Sequence, residues 1–373
     1  MVTSSRADYA HLRWLLHDLA KAPDVALEVI ALGPHLSPAF GHTGKEITAA
    51  RVTTVECLLD SDTDLGMAKT IGIAVLGIAD VLARVRPDIL LIIADRYEMV
   101  APAMAALALR IPIAHVEGGE ITVGAIDDAV RNALTKLSHL HFACTRRAAE
   151  RIVEMREESW RITFSGSLSL DHLCREKLLS KTEVEKKLET NLTPETLLCI
   201  FHPVTLMSNT IREADEVLAG LESVREPLIF VYPNADAGSR ELIVRAERVA
   251  KRRGWHLLIN LEHRTYLSLL KNVGAMVGNS SSGIIESTSL EVPAVNIGIR
   301  QLGREHAANV IDVPAERVAI QRAVRRALSP TFRQSIRGIK NPYGDGRASE
   351  TISRVLTNAP LGEKLLFKHA DLL

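Results

Sequence analysis

The sequence contains few aromatic residues and few cysteines, and its charges cancel. Phe, Trp and Tyr make up 4% of the 373 residues, and the four cysteines, Cys57, Cys144, Cys174 and Cys199, do not have the spacing of a metal site. Lys and Arg together number 45, as do Asp and Glu, which argues against a nucleic acid or a membrane surface as the partner. We interpret the cysteines as reduced, mostly buried thiols of a cytoplasmic protein.

Several signals of other protein classes are also missing. We expect no apolar run to be long enough to span a membrane. No signal peptide is visible, and we find no internal repeats. The Gly-x-Gly pattern of nicotinamide cofactor sites does not follow the first strand. His115, His139 and His141 lack the spacing of metal ligands. We therefore predict neither a cofactor nor a catalytic metal.

Apolar runs alternate with helical patterns along the chain, and 47% of the residues are apolar. Continuous apolar runs are typical of strands in a parallel sheet that helices cover on both faces. We therefore predict an α/β fold with two Rossmann-like domains. The predicted strands lie at 25–32, 89–94, 111–116 and 140–144 in the first half, and at 197–201, 228–232, 256–260, 274–277 and 294–297 in the second.

The alternation pauses near Ser165 and Gly166. We place the domain boundary there, so that residues 1–165 form the N-terminal domain and residues 166–348 form the C-terminal domain. Ligands of open α/β sheets bind at the carboxyl ends of the strands. The residues that directly follow each predicted strand are therefore the candidates for function.

Asn279, Ser280, Ser281 and Ser282 lie between a predicted strand and a helical pattern. At such a junction the first backbone N–H groups of the helix, its dipole and the hydroxyls can bind a phosphate. Glu286, about one turn into the helix, can accept a hydrogen bond from a ribose hydroxyl. The alternative is that the serines only cap the helix, but three serines in a row favour an anion site.

Three acidic residues lie at corresponding places in the first half. Asp95 follows the run at 89–94, Glu117 follows the run at 111–116, and Asp127 opens a helix on which Arg131 lies one turn later. Asp95 could instead cap a helix, and Asp127 and Arg131 could form a merely structural pair. Carboxylates that are grouped in a cleft repel each other, which raises some of their pKa values and suits proton transfer near neutral pH.

Polar residues also follow strands in the second half. His202 directly follows the run at 197–201, Asn234 comes after the run at 228–232, and Arg300 comes after the run at 294–297. Arg300 can reach a diphosphate, and Asn234 can contact a base or a ribose. Alternatively, His202 is a capping or packing residue and Asn234 only sets a turn.

The chain carries eight short motifs in one order. They are Arg6-Ala7-Asp8-Tyr9, Asp95-Arg96-Tyr97-Glu98, His115-Val116-Glu117-Gly118-Gly119-Glu120, Ile126-Asp127-Asp128, Thr135-Lys136-Leu137-Ser138-His139-Leu140-His141, Phe201-His202-Pro203, Gly278-Asn279-Ser280-Ser281 and Tyr343-Gly344-Asp345-Gly346. Each motif is weak alone, but the ordered set is specific and covers nearly the whole chain. Together the motifs resemble those of the hydrolysing UDP-N-acetylglucosamine 2-epimerases of sialic-acid synthesis.

The resemblance implies a fold and a reaction. The fold is the two-domain arrangement called GT-B, with the active site in the cleft between the domains and a C-terminal helix, here within residues 349–373, that crosses back to the first domain. The reaction converts UDP-N-acetylglucosamine and water to N-acetylmannosamine and UDP, through elimination to a 2-acetamidoglycal and rehydration. The implied partners are the nucleotide sugar and water, in a homodimer or homotetramer.

The resemblance also implies roles for individual residues. Asp95, Glu117 and Asp127 match the catalytic carboxylates, although which of them removes the C2 proton is not assigned, and His202 matches a histidine near the diphosphate and the sugar. We include Arg131 among the substrate-binding residues. The other residues implied to hold the nucleotide sugar are Arg6, Arg96, Asn234, Ser280, Ser281, Glu286 and Arg300.

Two features depart from the family pattern. The chain begins at Met1-Val2-Thr3, so we expect most of the first strand to be absent and the sheet to be weakened, unless the start is misassigned. Ala94 stands where the family usually has Gly, and we expect its methyl group to crowd the loop or the ligand.

Several alternatives stay open. The same reaction can act on UDP-N,N'-diacetylbacillosamine, whose 4-position contacts would come from loops such as residues 35–42. A non-hydrolysing 2-epimerase usually has Pro-Glu-Glu in place of Ile126-Asp127-Asp128. A glycosyltransferase of the same fold needs an acceptor site instead of grouped carboxylates, and a nucleotide-sugar sensor does not require three of them.

Overall fold

The computed structural model describes residues 1–37, 43–48, 51–58, 63–123, 126–203, 210–232, 239–259 and 261–369. The chain divides into two compact units. Unit 1 contains Met1–Glu120, Ile126–Asp171 and Tyr343–Leu373, and unit 2 contains Ile121–Ala125 and His172–Pro342.

The division between the units follows Asp171 and not residue 165, where the sequence pattern pauses. The carboxylate of Asp171 accepts hydrogen bonds from the backbone N–H groups of Ala348, at 2.9 Å, and Ser349, at 2.7 Å. Residues 166–171 are therefore bound to the start of the last long helix, and both segments belong to unit 1.

Among the described residues of unit 1, seven parallel strands form two sheets. The first sheet has the order β1-β2-β3 and the second has the order β4-β5-β6-β7. Their bounds are β1 Val2–Thr3, β2 Val29–Leu32, β3 Val52–Val55, β4 Leu90–Ile93, β5 Ile113–Val116, β6 Leu140–Ala143 and β7 Ile162–Phe164.

The first strand is present but has only two residues. Val2 and Thr3 are fully buried and pair with Ile30 and Ala31 of β2. Within the described residues, β1 lies beside β4 but no hydrogen-bonded ladder joins the two. Two residues of the first strand are therefore in place beside β2, where the sequence pattern predicts that most of the strand is absent.

The helices of unit 1 pack their apolar faces on these sheets. Helix α1 begins after Ser5, whose side chain forms a capping box with Asp8, and it buries Leu12, Leu15 and Leu19. The bounds are α1 Arg6–Lys21, α2 Asp64–Val85, α3 Val100–Ala108, α4 Ile126–Leu137, α5 Arg146–Glu154, α14 Ala348–Thr357 and α15 Glu363–Leu366.

Helix α2 corrects one expectation from the sequence. Its segment Leu65–Val85 is long and apolar enough to cross a membrane, with a mean hydropathy of 1.7, and a third of the window is buried. Ala74, Ile78 and Leu82 lie in the core of unit 1, whereas Leu76 is 72% exposed. The apolar composition of α2 therefore reflects both a core-facing side and an exposed apolar side.

The described part of unit 2 contains one parallel sheet of six strands in the order β10-β9-β8-β11-β12-β13. The strands are β8 Leu197–Ile200, β9 Leu228–Val231, β10 His256–Leu258, β11 Ala275–Gly278, β12 Ala294–Ile297 and β13 Val310–Val313. The helices are α6 Asp171–Arg175, which spans the division, α7 Lys181–Leu188, α8 Thr210–Glu222, α9 Ser239–Arg253, α10 His263–Asn272, α11 Glu286–Ser289, α12 Arg317–Leu328 and α13 Pro330–Ser335.

These parallel sheets, with apolar strands and intervening helices, confirm the predicted α/β fold of two Rossmann-like units. In unit 2 the strand order reverses between β8 and β11. Ligands of doubly wound sheets bind at the carboxyl ends of the strands where the order reverses. The loops after β8 and β11 are therefore the first place to look for a site.

Candidate functional site

Gly278 lets the end of β11 approach β8 closely. Its φ is +137°, and a Cβ atom there would lie 1.9 Å from the carbonyl oxygen of Ile200. A side chain at this position is excluded both by the backbone conformation and by the space. The close approach places the next residue, Asn279, beside the loop that begins after β8.

Asn279 is the hub of the unit 2 site. It is fully buried. Its Oδ1 accepts from the His202 backbone N–H, and its Nδ2 donates to the His202 carbonyl, both at 2.7 Å. Its own carbonyl accepts from Arg300 Nη1 at 3.0 Å and from Gln301 Nε2 at 2.8 Å. One side chain and one carbonyl thus hold together the loops after β8, β11 and β12.

His202 is buried at the end of β8. Burial lowers the pKa of its imidazole to about 3, and the nearby positive charge of Arg300 acts in the same direction. The ring is therefore neutral at physiological pH, and it can donate one hydrogen bond without carrying charge.

The serine run forms a shorter element than the sequence predicts. Ser280 Oγ accepts from the Ser282 N–H at 3.4 Å, a 3-10 turn covers Ser281–Gly283, and α11 begins only at Glu286 and has four residues. The helical pattern after the serines thus corresponds to a 3-10 turn followed by the short helix α11, of which Glu286 is the first residue. Because α11 is short, the polar groups at this junction are mainly the serine hydroxyls and the N–H groups of the turn.

Glu286 carries a buried oxygen that no described residue hydrogen-bonds. Glu286 is 6% exposed, and no donor among the described residues reaches its Oε2. Tyr266 is close enough that burial and the charge of Glu286 raise the pKa of the phenol above its usual value. A buried carboxylate oxygen needs a donor, and a ribose hydroxyl can supply one. Asn234, the remaining predicted contact in this half, lies outside the described residues.

In unit 1, Asp95 and Arg131 form an ion pair. Asp95 follows β4, and Arg131 Nη2 of α4 donates to Asp95 Oδ2. Arg131 Nη1 donates to the Glu120 carbonyl oxygen at 3.0 Å, and its side chain is only 4% exposed. Arg131 thus links the loops after β4 and β5, and its predicted contact with the substrate stays a prediction.

Glu117 contacts a residue that sequence reasoning missed. Its Oε1 lies 3.3 Å from His11 Nδ1 on α1, and both side chains are partly exposed. His11 is one and a half turns after Arg6 on the same helix, and no spacing in the sequence signals a contact between residues 106 positions apart. Asp127 lies in the first turn of α4, one turn before Arg131.

Ala94 adopts the left-handed conformation that Gly would favour. Its φ is +59°, and φ of Glu117 is +68°. The Ala94 N–H donates to the Val116 carbonyl at 2.9 Å, which continues the ladder between β4 and β5. A residue with a Cβ atom thus adopts the left-handed backbone at the position where the resemblance leads us to expect Gly, at a cost of about 1–2 kcal/mol.

Two predicted arginines pair with carboxylates of unit 1. Arg96 donates to both oxygens of the fully buried Glu98, at 3.2 and 2.8 Å. Burial alone would lower the pKa of Arg96, but the charges of Glu98 and Asp8 and the hydrogen bond to Glu98 together raise it above its usual value. Arg6 Nε lies 3.7 Å from Glu46 Oε2. Both guanidinium groups keep more than a third of their surface exposed.

Comparison with known proteins places this architecture in a family. The family described as UDP-N-acetylglucosamine 2-epimerase matches residues 17–357. The GDP/UDP-N,N'-diacetylbacillosamine 2-epimerase (hydrolyzing) of Campylobacter jejuni is 36% identical over 90% of this chain and 88% of its own. The UDP-N,N'-diacetylbacillosamine 2-epimerase (hydrolyzing) of Legionella pneumophila is 33% identical over 98% and 97%.

A solved structure shares the fold at lower identity. The crystal structure of UDP-GlcNAc 2-epimerase from Neisseria meningitidis bound to UDP-GlcNAc matches with a TM-score of 0.79 and 18% identity, over 95% of this chain and 98% of that one. The family match covers most of the chain, and the two relatives exceed 30% identity over nearly all of it. The chain belongs to the UDP-N-acetylglucosamine 2-epimerase family.

Proposed function

We propose that this protein is a hydrolysing 2-epimerase of UDP-linked 2-acetamido sugars. It converts the UDP-sugar and water to UDP and the free sugar that is epimeric at C2. Unit 1 supplies the groups that move protons, and unit 2 holds the nucleotide. No cofactor takes part.

The observation that carries the proposal is the network around Asp95 in unit 1. Arg131 joins Asp95 to the Glu120 carbonyl, and Asp127 lies one turn before Arg131 on the same helix. Glu117 is three residues before Glu120 on the same loop. Acidic residues of the loop after β4, of the loop after β5 and of the first turn of α4 are thus linked through Arg131 and the Glu120 carbonyl, which suits a reaction with two proton transfers at one carbon.

The chemistry follows from the weak acidity of the C2–H bond. No carbonyl is adjacent to C2, so the proton leaves only as the C1–O bond to UDP breaks and positive charge develops at C1. A carboxylate takes the C2 proton and UDP leaves with the C1–O electron pair, which gives a 2-acetamidoglycal. Water then adds its hydroxyl group at C1, and C2 receives a proton from the opposite face.

The residues of unit 2 suit the nucleotide. The Arg300 guanidinium can balance the charge that grows on the departing diphosphate, and neutral His202 can donate a hydrogen bond to it. Ser280 and Ser281 offer hydroxyls to a phosphate, and Glu286 Oε2 offers an acceptor to a ribose hydroxyl. Each group stabilises either the leaving group or the ribose without entering the proton transfers.

We further propose UDP-N,N'-diacetylbacillosamine as the preferred substrate, with UDP-N-acetylglucosamine second. The support for the first is that relatives 36% and 33% identical bear that substrate in their names. The support for the second is the family description. The order differs from the one expected from the sequence, where UDP-N-acetylglucosamine stood first.

A substrate panel tests this proposal. UDP-N-acetylglucosamine, UDP-N,N'-diacetylbacillosamine and GDP-N,N'-diacetylbacillosamine are compared by kcat/KM, with release of UDP or GDP and of the free sugar followed by NMR. We expect stoichiometric release of UDP and the C2-epimeric sugar, fastest with UDP-N,N'-diacetylbacillosamine. A UDP-linked epimer as the product would show a non-hydrolysing epimerase, and sugar transfer to an added acceptor would show a glycosyltransferase.

Amide variants of the carboxylates provide the matched series. Asp95→Asn, Glu117→Gln and Asp127→Asn each remove one acid–base group at constant size, and we expect kcat to fall by about 10²- to 10⁴-fold. UDP affinity should stay within a few-fold of the native value, because unit 2 is unchanged. Native turnover in all three variants would remove the proposed role of the acidic network.

We also propose a cytoplasmic homo-oligomer. Burial raises the pKa of the Cys57 and Cys199 thiols, which keeps them unreactive and fits a reducing compartment.

The adjacent helices α2 and α3 expose apolar side chains that fit contact with a second copy of the chain. These are Leu65, Ile73 and Leu76 of α2 and Met104 and Leu107 of α3.

A further inference from the structure

His115 lies in β5, two residues before Glu117, and is completely buried. It occurs in one of the sequence motifs, and the proposed reaction assigns it no role. Its Nε2 lies 2.8 Å from the carbonyl oxygen of Ala94, and its Nδ1 lies 3.2 Å from Thr135 Oγ1. The ring therefore bridges the turn after β4 and helix α4.

The chemistry of the partners determines which ring nitrogen carries the proton. A carbonyl oxygen can only accept, so Nε2 carries the hydrogen and donates it to Ala94. Burial lowers the pKa of His115 to about 3, so the ring is neutral and Nδ1 is an acceptor. Thr135 Oγ1, which is also fully buried, must then donate to Nδ1. The Ala94 carbonyl thus fixes the tautomer, and the Thr135 hydroxyl holds the ring in that orientation by donating to Nδ1.

The Ala94 peptide needs this support because of its backbone conformation. It lies at φ +59° and directly precedes Asp95. Its N–H donates to the Val116 carbonyl and its C=O accepts from His115, so both polar groups of Ala94 are bound by β5. A left-handed backbone conformation persists only where the surrounding structure fixes it. Here the bonds to both polar groups of Ala94 fix its conformation, and the conformation of Ala94 in turn sets the position of Asp95.

Gly118 shows how closely this pair is enclosed. A Cβ atom at Gly118 would lie 3.0 Å from Thr135 Oγ1 and 3.1 Å from His115 Nδ1. The loop that carries Glu117 therefore packs directly on the hydrogen bond between Thr135 and His115, and even one methyl group would press on it.

We propose that His115, oriented by Thr135, is the positioning residue that holds Asp95, Glu117 and the Asp127 helix in one geometry. This inference rests on the proposed function. His115 belongs to the strand that carries Glu117, bonds the residue before Asp95, and is bonded by the helix that carries Asp127 and Arg131. A single neutral ring connects all three acidic segments without taking part in proton transfer.

Three variants test the proposal kinetically. Thr135→Val keeps the shape and removes the donor, Gly118→Ala presses on the same bond, and Thr135→Ser keeps the hydroxyl as the matched control. We expect Thr135→Val and Gly118→Ala to lower kcat about 10- to 100-fold with KM changed less than about threefold. Thr135→Ser should restore kcat to within about threefold of the native value. Equal rates for Thr135→Val and Thr135→Ser would overturn the proposal.

A spectroscopic readout is independent of activity. In protein with ¹⁵N-labelled histidine, we expect the His115 ring, assigned with His115→Gln, to carry its hydrogen on Nε2 from pH 8 down to about pH 4, because its pKa is about 3. A ring hydrogen on Nδ1 would overturn the assignment of donors and with it the proposal. If the native protein turned over no UDP-sugar, the proposed function would fail. The tautomer of His115 would still test whether its ring donates to Ala94 and accepts from Thr135.

Discussion

At the residue scale, we expect Glu286 to lower the stability of the ligand-free protein, and a bound ligand that donates a hydrogen bond to remove this cost. Its Oε2 is buried and receives no hydrogen bond from any described residue. A buried charged oxygen without a donor destabilises the ligand-free fold by roughly 1–3 kcal/mol. We interpret Glu286 Oε2 as an acceptor for a hydroxyl group of the nucleotide. Removal of the Glu286 carboxylate should therefore raise the stability of the ligand-free protein and lower its affinity for the nucleotide.

Glu286→Gln tests that interpretation. We expect UDP affinity to fall about 10-fold or more, because a hydrogen bond to a charged acceptor is lost, and the ligand-free protein to unfold at a higher urea concentration. Calorimetric titration and urea unfolding measure the two effects. Glu222→Gln, a partly exposed residue of α8 paired with Arg252, serves as the control. Unchanged UDP affinity in Glu286→Gln would contradict a role in binding.

The sequence predicts residue types at strand ends better than it predicts their partners. Asp95, Glu117, His202 and Arg300 all lie directly after or close to strand ends, as parallel-strand patterns indicate. The contact between His11 and Glu117 joins residues 106 positions apart. No local rule links them, because only the packing of α1 against the strands brings them together.

At the element scale, the junction after β11 depends on a backbone approach that only Gly allows. For Gly278→Ala we expect the free energy of unfolding to fall by about 3 kcal/mol or more, because a Cβ atom would overlap the Ile200 carbonyl. Gly254→Ala is the matched control. It has φ +68° but nothing within 4 Å of the added atom, so it should cost only about 1 kcal/mol. Equal losses in urea unfolding would show that close approach is unimportant.

A buried carboxylate fastens the end of the chain to unit 1. Glu157 is fully buried and bonds Lys136, His141 and Lys368, at 2.5, 3.3 and 2.6 Å. Burial alone would raise the pKa of Glu157, but the hydrogen bonds from His141 and the two lysines lower it from 4.5 to about 2. The ion pairs therefore outweigh the cost of burial, and residue 368 is held against β6.

The sign of the pKa shift predicts how stability depends on pH. A carboxyl group whose folded pKa is depressed stabilises the fold above pH 4.5, and this contribution is lost as pH falls from about 4.5 to about 2. We expect Glu157→Gln to lower the free energy of unfolding by about 3 kcal/mol at pH 7 and by progressively less below pH 4.5.

Urea unfolding at pH 7, 4 and 3 measures this dependence on pH. The control, Glu150→Gln on the exposed face of α5, should change stability by less than about 0.5 kcal/mol at each pH. A deficit in Glu157→Gln that did not shrink toward pH 3 would contradict the account.

Elements with a continuous apolar pattern are predictable, and elements that depend on tertiary pairing are not. The predicted strands at 89–94 and 111–116 agree with β4 and β5 to within two residues. Strands β3 and β7 escape the sequence pattern because they are only partly buried and carry threonines. The helix predicted after Ser282 is interrupted, and Gly283 lies in a 3-10 turn there.

At the scale of the whole molecule, the apolar side of α2 and α3 predicts self-association. We expect Leu76→Glu, which places a charge on the most exposed of these side chains, to halve the molar mass in size-exclusion chromatography with light scattering. Val318→Glu on α12, a helix residue that is 55% exposed, is the control and should leave the molar mass unchanged. A monomeric native protein would contradict the proposed homo-oligomer.

The family and the fold of the whole chain are accessible from sequence, because ordered motifs and apolar runs extend over most of its length. The hydrogen bonds of Asn279 to His202, Arg300 and Gln301 cannot be predicted from the sequence. They require β8 and β11 to be neighbours, although 74 residues separate the end of β8 at Ile200 from the start of β11 at Ala275. Strand order is set by helix packing and crossover handedness, which single residues do not display.

The central claim is that acidic groups of unit 1 move a proton at C2 while UDP departs. The most direct measurement is NMR of UDP-N,N'-diacetylbacillosamine or UDP-N-acetylglucosamine incubated with the protein in heavy water. We predict release of UDP together with a free, C2-epimeric sugar that carries deuterium at C2, and loss of both in Glu117→Gln. Release of UDP with hydrogen retained at C2 would contradict the account.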